Sequence, residues 1–235
     1  DVIGITMPCF GTSDRTYSNS LELMRTLGVT SVEIDIKAAV LQHFSDIGQD
    51  KDKHDLTFEN AQARERAQVL MDYAGKVGGL VVGTGDLSEL VLGWCTYNAD
   101  HMSMYGVNCG IPKTLIRWMV NSLSENEMFE KSKDVLCDIL DTPISPELLP
   151  PDESGKIAQQ TENLIGPYSL HDFFIFYALR YGYSPQKIYF LARKAFCDDF
   201  DAPFIKKWLV SFYRRFFTQQ FKRSCSPDGV KIGSV

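Results

Sequence analysis

Up to about residue 123 the apolar positions alternate between short continuous runs and helically spaced sets. Val2-Ile3-Gly4-Ile5-Thr6 reads as a first strand. It opens into Met7-Pro8-Cys9-Phe10-Gly11-Thr12-Ser13, a loop of small and turn-forming residues, and then a helix near Ser18 to Leu27 that Gly28 stops. A second strand is predicted over Thr30 to Ile36 and a short helix around Ala38 to Phe44. The polar tract from Ser45 to Asp55 reads as an exposed loop. Thr57 is placed to cap a long helix, about Phe58 to Lys76, with Ala61, Ala67, Leu70, Met71 and Ala74 on its apolar side. After Gly78-Gly79, Leu80, Val81 and Val82 read as a third, fully buried strand.

Strands and helices alternating with connections this long predict parallel crossovers, hence an α/β protein with a three-layer parallel sheet. After Pro112 the pattern turns helical, with segments predicted to about Leu123 and near Glu127 to Leu140. Pro143, Pro146, Pro150 and Pro151 then mark a stiff loop. Three further helices are expected near Leu170 to Tyr181, Pro185 to Phe196 and Pro203 to Phe221. Residues 1–123 thus form an α/β part and 124–235 a helical part. The aromatic side chains of the last helices, among them Phe173, Phe174, Trp208, Phe212 and Phe217, suit a core or a subunit interface, with a cofactor-stacking surface as the alternative.

The segment from Gly78 to Thr114 carries the chemistry. Gly83 and Gly85 bracket Thr84 where the predicted strand meets a helix start, so the backbone can turn sharply and approach a ligand. Ligands of open α/β sheets sit at such carboxyl ends. Asp86 and Glu89 offer hard oxygen ligands for a Mg²⁺ that bridges phosphates; the same carboxylates also suit a helix N-terminus by charge alone. Lys113 begins a helix, where its charge opposes the dipole, and this points to an anionic ligand. Trp94, Tyr97, Asn98, Asp100 and Asn108 add aromatics and polar groups. Lys222 and Arg223 close the last helix, where cations are also plain dipole complements. His43, His54, His101 and His171 show no partner spacing.

Composition narrows the classes. The chain has 235 residues, 44% of them hydrophobic and 12% aromatic, enough for one substantial core. A formal charge of −6 argues against general nucleic-acid binding. Six cysteines without C-x-x-C spacing read as reduced thiols of a cytoplasmic protein, with neither disulfides nor zinc. There is no apolar run of about 18 residues and no signal-peptide pattern, so no membrane association is expected. The chain starts at Asp1 on a strand, without an initiator methionine, and reads as a piece of something longer.

Five stretches carry a resemblance to a known family: TFENAQARER (Thr57 to Arg66), GTGDLSELVLGW with the Thr96 and Tyr97 just beyond it, VN-x-G-x-PKTLI (Val107 to Ile116), DTPISPEL (Asp141 to Leu148) and QFKRS (Gln220 to Ser224). Together they closely resemble the synthetase domain of glutamine-dependent NAD⁺ synthetases, over nearly the whole chain. The resemblance implies the adenine-nucleotide α-hydrolase, or N-type ATP pyrophosphatase, fold. It also implies the reaction. ATP adenylylates the nicotinate carboxylate of deamido-NAD⁺ with release of pyrophosphate, and ammonia derived from glutamine displaces AMP. Activation is needed because a carboxylate is a poor acyl donor.

Carried over by position, the resemblance implies that Thr84 and Lys113 contact ATP. Asn60, Arg64, Glu89, the wall of Trp94, Cys95, Thr96 and Tyr97, and Lys222 would contact deamido-NAD⁺, and Glu89 would also bind Mg²⁺. Tyr97 stands where the smaller ammonia-dependent relatives carry lysine. A homo-oligomer is implied as well. The family's S-G-G-x-D-S pyrophosphatase loop and its glutaminase domain lie upstream of these residues, so the piece alone is expected to be inactive. Two other readings compete: a non-catalytic nucleotide-binding or oligomerisation fragment, and another ATP-pyrophosphatase amidotransferase of the GMP-synthetase kind.

Overall fold

The computed structural model describes residues 1–150 and 161–231. It falls into two compact units that interleave in sequence: Asp1–Val77 with Arg117–Thr161, and Gly78–Ile116 with Glu162–Val235. The change of element type near residue 123 is therefore not where compactness divides the chain.

In the first unit, strand β1 (Ile3–Thr6) pairs in parallel with β2 (Thr30–Glu33), Ile3 opposite Thr30 and Thr6 opposite Glu33. The crossover is α1 (Asp14–Leu27), which starts earlier than the apolar pattern suggests because the Ser13 side chain accepts from the Thr16 N–H and caps it. Gly28, at φ 69°, ends it as expected. Helices α2 (Lys37–Ile47) and α3 (Leu56–Val77) come next. The polar tract thus shortens, since its first residues complete α2. Asp55, not Thr57, caps α3: its Oδ1 accepts from the Thr57 and Phe58 N–H groups at 2.9 and 3.2 Å. Cys9, Ile36, Val40, Phe44, Phe58 and Ala61 form the buried core, with Phe10, Ile34, Val69 and Leu149 against it. Burying each large side chain there contributes about 1.5–3 kcal/mol.

The rest of that unit includes most of α5 (Lys113–Ser124), a 3₁₀ turn over Glu127–Ser132 and α6 (Lys133–Asp141). Arg15 of α1 holds Asp138 of α6. The proline-rich stretch after α6 is pinned down: Gln62 donates to the Leu148 carbonyl at 2.8 Å, and Thr16 to the Glu147 carboxylate at 2.5 Å. Pro151 lies outside the described residues.

In the second unit the third strand is β3 (Val82–Gly83), paired in parallel with β4 (Tyr105–Gly106). The three predicted strands and the unpredicted β4 thus form two separate parallel pairs, one in each unit. Nor is the Leu80–Val82 run fully buried. Only Val81 is buried, while Leu80 is 61% and Val82 51% exposed. Between β3 and β4 lies the short helix α4 (Leu87–Leu92).

The aromatic helices are α7 (Thr161–Ile165), α8 (Tyr168–Ile175), α9 (Pro185–Ala195), α10 (Ala202–Thr218) and α11 (Gln220–Arg223). A π-helical segment, Phe176–Arg180, continues α8. α10 packs against α8, α9 and α4. Leu170, His171, Phe174, Ile188, Ile205 and Phe212 are fully buried there, so part of the aromatic content is core. Phe190, Val210 and Phe217 remain exposed.

Candidate functional site

The predicted glycine-rich turn leads from β3 straight into α4, and both ends of that helix are occupied by chemistry-bearing side chains. At its start Asp86 is extended, and its Oδ1 accepts from the Glu89 N–H at 2.9 Å. Glu89 Oε2 in turn accepts from the Asp86 N–H at 3.2 Å. This reciprocal pair satisfies two N–H groups that the first helical turn leaves without partners, and it holds both carboxylates in place. Lys113 Nζ lies 2.6 Å from Asp86 Oδ2 and 2.6 Å from Glu89 Oε1. The Asp86 side chain is 2% exposed, so these are partners rather than surface neighbours.

The anion that the sequence predicted opposite Lys113 is, in this structure, the Asp86–Glu89 pair. Burial works against the Lys113 charge, yet Glu89 and Asp86 together outweigh it and hold its pKa above the ordinary lysine value. Burial and the neighbouring Asp86 push Glu89 upward, and Lys113 opposes them. The backbone of Lys113 is also fixed: its N–H donates to Ser88 Oγ at 2.9 Å, and Ser88 Oγ donates to Asp172 Oδ1 at 2.5 Å. Asp172, from α8, accepts from the Thr114 N–H and hydroxyl at 2.9 and 2.7 Å, completing the cap of α5. The Tyr168 ring lies 5.5 Å from Lys113 Nζ.

The carboxyl end of α4 is closed by Gly93 at φ 59°, where a Cβ would come within 2.3 Å of the Gln219 side chain. Three cations converge on its carbonyls. Arg215 donates to Leu92 O at 2.9 Å, Arg223 to Leu90 O and Val91 O at 3.3 and 3.1 Å, and Lys222 to Gly93 O and Cys95 O at 2.9 and 2.6 Å. Lys222 and Arg223 thus stand in the last turn of their own helix, as expected, and also reach the carboxyl end of α4. Burial lowers the pKa of Lys222. The Arg215 guanidinium stands 5.2 Å from the Trp94 ring, and Tyr97 packs on Phe221 with ring centroids 5.4 Å apart. Thr96 N–H donates to Asp100 Oδ1 at 2.7 Å. Burial pushes the Cys95 thiol up to about 12.

The structure therefore brings Glu89 and Lys113 together at one end of α4, and Trp94, Cys95 and Lys222 at the other. Thr84 is exposed on the turn between β3 and Asp86. Asn60, half-buried, and Arg64, exposed, lie one turn apart on α3 in the first unit. Sequence reasoning missed Asp172 and Arg215. Their partners lie 84 and 123 residues away, and no local spacing signals them.

For Mg²⁺, no group of three or more acidic, histidine or cysteine side chains among the described residues could hold an ion by itself. Mg²⁺ usually needs only one or two carboxylates when phosphates supply the other oxygens. Glu89, the more exposed of the pair at 27%, fits that requirement in charge and donor type.

Two-stranded parallel pairs, a glycine turn into a capped helix and a buried lysine–carboxylate cluster describe an α/β protein with a charged site at a helix start. The NAD synthase family profile matches residues 1–126, and the chain belongs to that family. It is 42% identical to the glutamine-dependent NAD(+) synthetase of Mycobacterium leprae, over 99% of this chain and 37% of that protein. It is similar in structure to a glutamine-dependent NAD(+) synthetase from Cytophaga hutchinsonii, with a TM-score of 0.74 and 19% identity over 96% of this chain and 35% of that one. NMN synthetase from Francisella tularensis is also similar, with a TM-score of 0.66 and 20% identity over 94% and 75% of the two chains. The expected N-type ATP pyrophosphatase fold agrees with these neighbours. The chain spans little more than a third of the length of the glutamine-dependent relatives it matches.

Proposed function

We propose that this chain is the synthetase part of an enzyme that amidates deamido-NAD⁺ to NAD⁺ with consumption of ATP and with glutamine-derived ammonia as the nitrogen donor. The observation that carries the proposal is the buried Asp86–Glu89–Lys113 cluster at the start of α4, in a chain of the NAD synthase family.

In this reading Thr84 and Lys113 bind ATP. Lys113 has three N–H donors and directs two at carboxylates, which leaves one for a phosphate oxygen. Glu89 holds Mg²⁺. A Mg²⁺ held there would supply positive charge to offset that of the departing pyrophosphate. Asn60 and Arg64 contact deamido-NAD⁺, and Trp94, Cys95, Thr96 and Tyr97 line its flat nicotinate end with Lys222 beside it. Adenylylation supplies the leaving group, and ammonia then attacks the activated carboxyl carbon. The reading includes a cytoplasmic homo-oligomer; no helix among the described residues is long and apolar enough to cross a membrane. Exposed Phe190, Val210 and Phe217 are among the apolar side chains that offer surface for self-association. Sedimentation at micromolar concentration should show an assembly, and a compact monomer would contradict this.

The deciding experiment supplies the full-length protein with ATP, Mg²⁺, ammonium and either deamido-NAD⁺ or xanthosine monophosphate. NAD⁺, AMP and pyrophosphate should form in equal amounts from deamido-NAD⁺. Amidation of xanthosine monophosphate would instead support a GMP-synthetase-like enzyme, and nucleotide binding without turnover a non-catalytic role.

A further inference from the structure

Cys225 lies just past α11 and is half-buried. Its Sγ lies 3.0 Å from His101 Nε2 and 3.3 Å from the carbonyl of Lys222. His101 is 6% exposed, with the Thr96 backbone as one hydrogen-bond partner and the Cys225 thiol facing Nε2. Burial lowers the pKa of His101 and keeps the ring neutral, with Nε2 within hydrogen-bond reach of the sulfur. Asp100, Lys222 and Cys95 are the charged and titratable groups around this pair.

The other cysteines are placed differently. Cys9 and Cys95 have thiols pushed up by burial. Cys137 and Cys197 are exposed, and Cys109 Sγ faces the Val230 carbonyl at 3.6 Å. Beyond Cys225 the chain runs as a strap along β4: the Gly106 N–H donates to Asp228 O at 2.8 Å, and Gly106 forms a parallel bridge with Gly229.

We propose that Cys225 and His101 form a thiol-exchange site for small disulfides of the glutathione type, and that its modification releases the strap from β4. His101 Nε2 takes the Cys225 proton, and the thiolate attacks one sulfur of the disulfide. A new S–S bond joins Cys225 to one half of the reagent while the reagent's own S–S bond breaks. The departing thiolate takes the proton from His101 and leaves as a free thiol. One disulfide is consumed and one formed, with no net oxidation. With the imidazole 3.0 Å away and the Lys222 carbonyl 3.3 Å away, a substituent on Sγ displaces the backbone beyond residue 224 in this proposal. The strap's pairing with Gly106 is then lost, and with it the anchor beside the Lys222 clamp on α4. The inference stands apart from the proposed ligase activity.

The test treats the full-length protein with oxidised glutathione near pH 7 and maps adducts by peptide mass. Cys225 should be modified at least about tenfold faster than Cys137 and Cys197, although it is less exposed. His101→Gln should slow Cys225 by about tenfold or more. Unchanged rates at Cys137 and Cys197 in that variant exclude general unfolding. Hydrogen exchange at the Gly106 amide should accelerate in the adduct and stay slow in identically treated Cys225→Ser. A Cys225 rate no greater than that of the exposed cysteines overturns the proposal, as does a Gly106 amide that remains protected in the adduct.

Discussion

Two ionic clusters of nearly equal geometry sit in the two units, and solvent alone separates their consequences. In the first unit, Arg15 and Asp138 meet at 2.7 Å with side chains 44% and 42% exposed. The Arg15 guanidinium, helped by Asn19, holds the Asp138 pKa down to about 2. In the second unit, Lys113 meets Asp86 and Glu89 at 2.6 Å, out of most solvent. Water can replace either partner of the first pair with little penalty, because high dielectric weakens the attraction and rehydration offsets its loss. It cannot replace Lys113. Removing that ammonium leaves a carboxylate with no route to solvent.

The sharpest way to break this comparison is Lys113→Met, which should destabilise the protein by about 3–5 kcal/mol in urea unfolding. Adding Asp86→Asn should recover part of that loss, since the stranded charge is then gone. A single mutant as stable as the parent would mean that the cluster is effectively solvated.

His171 extends the contrast to a neutral group. It is fully buried on α8, with Nε2 2.7 Å from the Ile165 carbonyl, and burial lowers its pKa to about 4 from an ordinary 6.5. Above the ordinary value both folded and unfolded states are neutral, so the stabilisation is fully present. As pH falls below 6.5 the unfolded state gains a proton first, and stability drops until the folded pKa of about 4 is passed. The total should be about 3 kcal/mol. His171→Gln should flatten the unfolding-versus-pH curve in that window; an unchanged slope would assign it to other groups.

Lys222→Ala tests a cation that faces carbonyls rather than carboxylates. On the proposed function it should raise KM for deamido-NAD⁺ by about tenfold, worth about 1.4 kcal/mol, and KM for ATP much less. Equal effects on both substrates would make Lys222 a clamp on α4 and nothing more. The smallest effect belongs to Arg15→Ala, which in ordinary salt should leave the unfolding midpoint unmoved. A clear drop would show that the α1–α6 contact matters more than its exposure suggests.

Much of the fold was legible because local rules decide it. The Ser13 cap came one turn earlier than the apolar pattern indicated, but Gly28, the long α3 and the Asp86-x-x-Glu89 turn arise from turn and cap chemistry readable within a few residues. The third strand was misread in its burial and pairing. A run of Leu-Val-Val carries the same apolar signal on an exposed edge as in a core, and only the neighbours it meets tell the two apart.

The sequence by itself determined family, the order of most elements and the residue types available to a site, because motifs such as Gly83 to Trp94 keep chemistry within a short stretch of chain. Tertiary structure alone decided who faces whom. Lys113 reaches back 24 residues to Glu89, Asp172 reaches 58 to Thr114, and Cys225 meets His101 across 124. Such pairings form when packing encloses the groups together. Energies that water would screen then become large, and no periodicity along the chain encodes them.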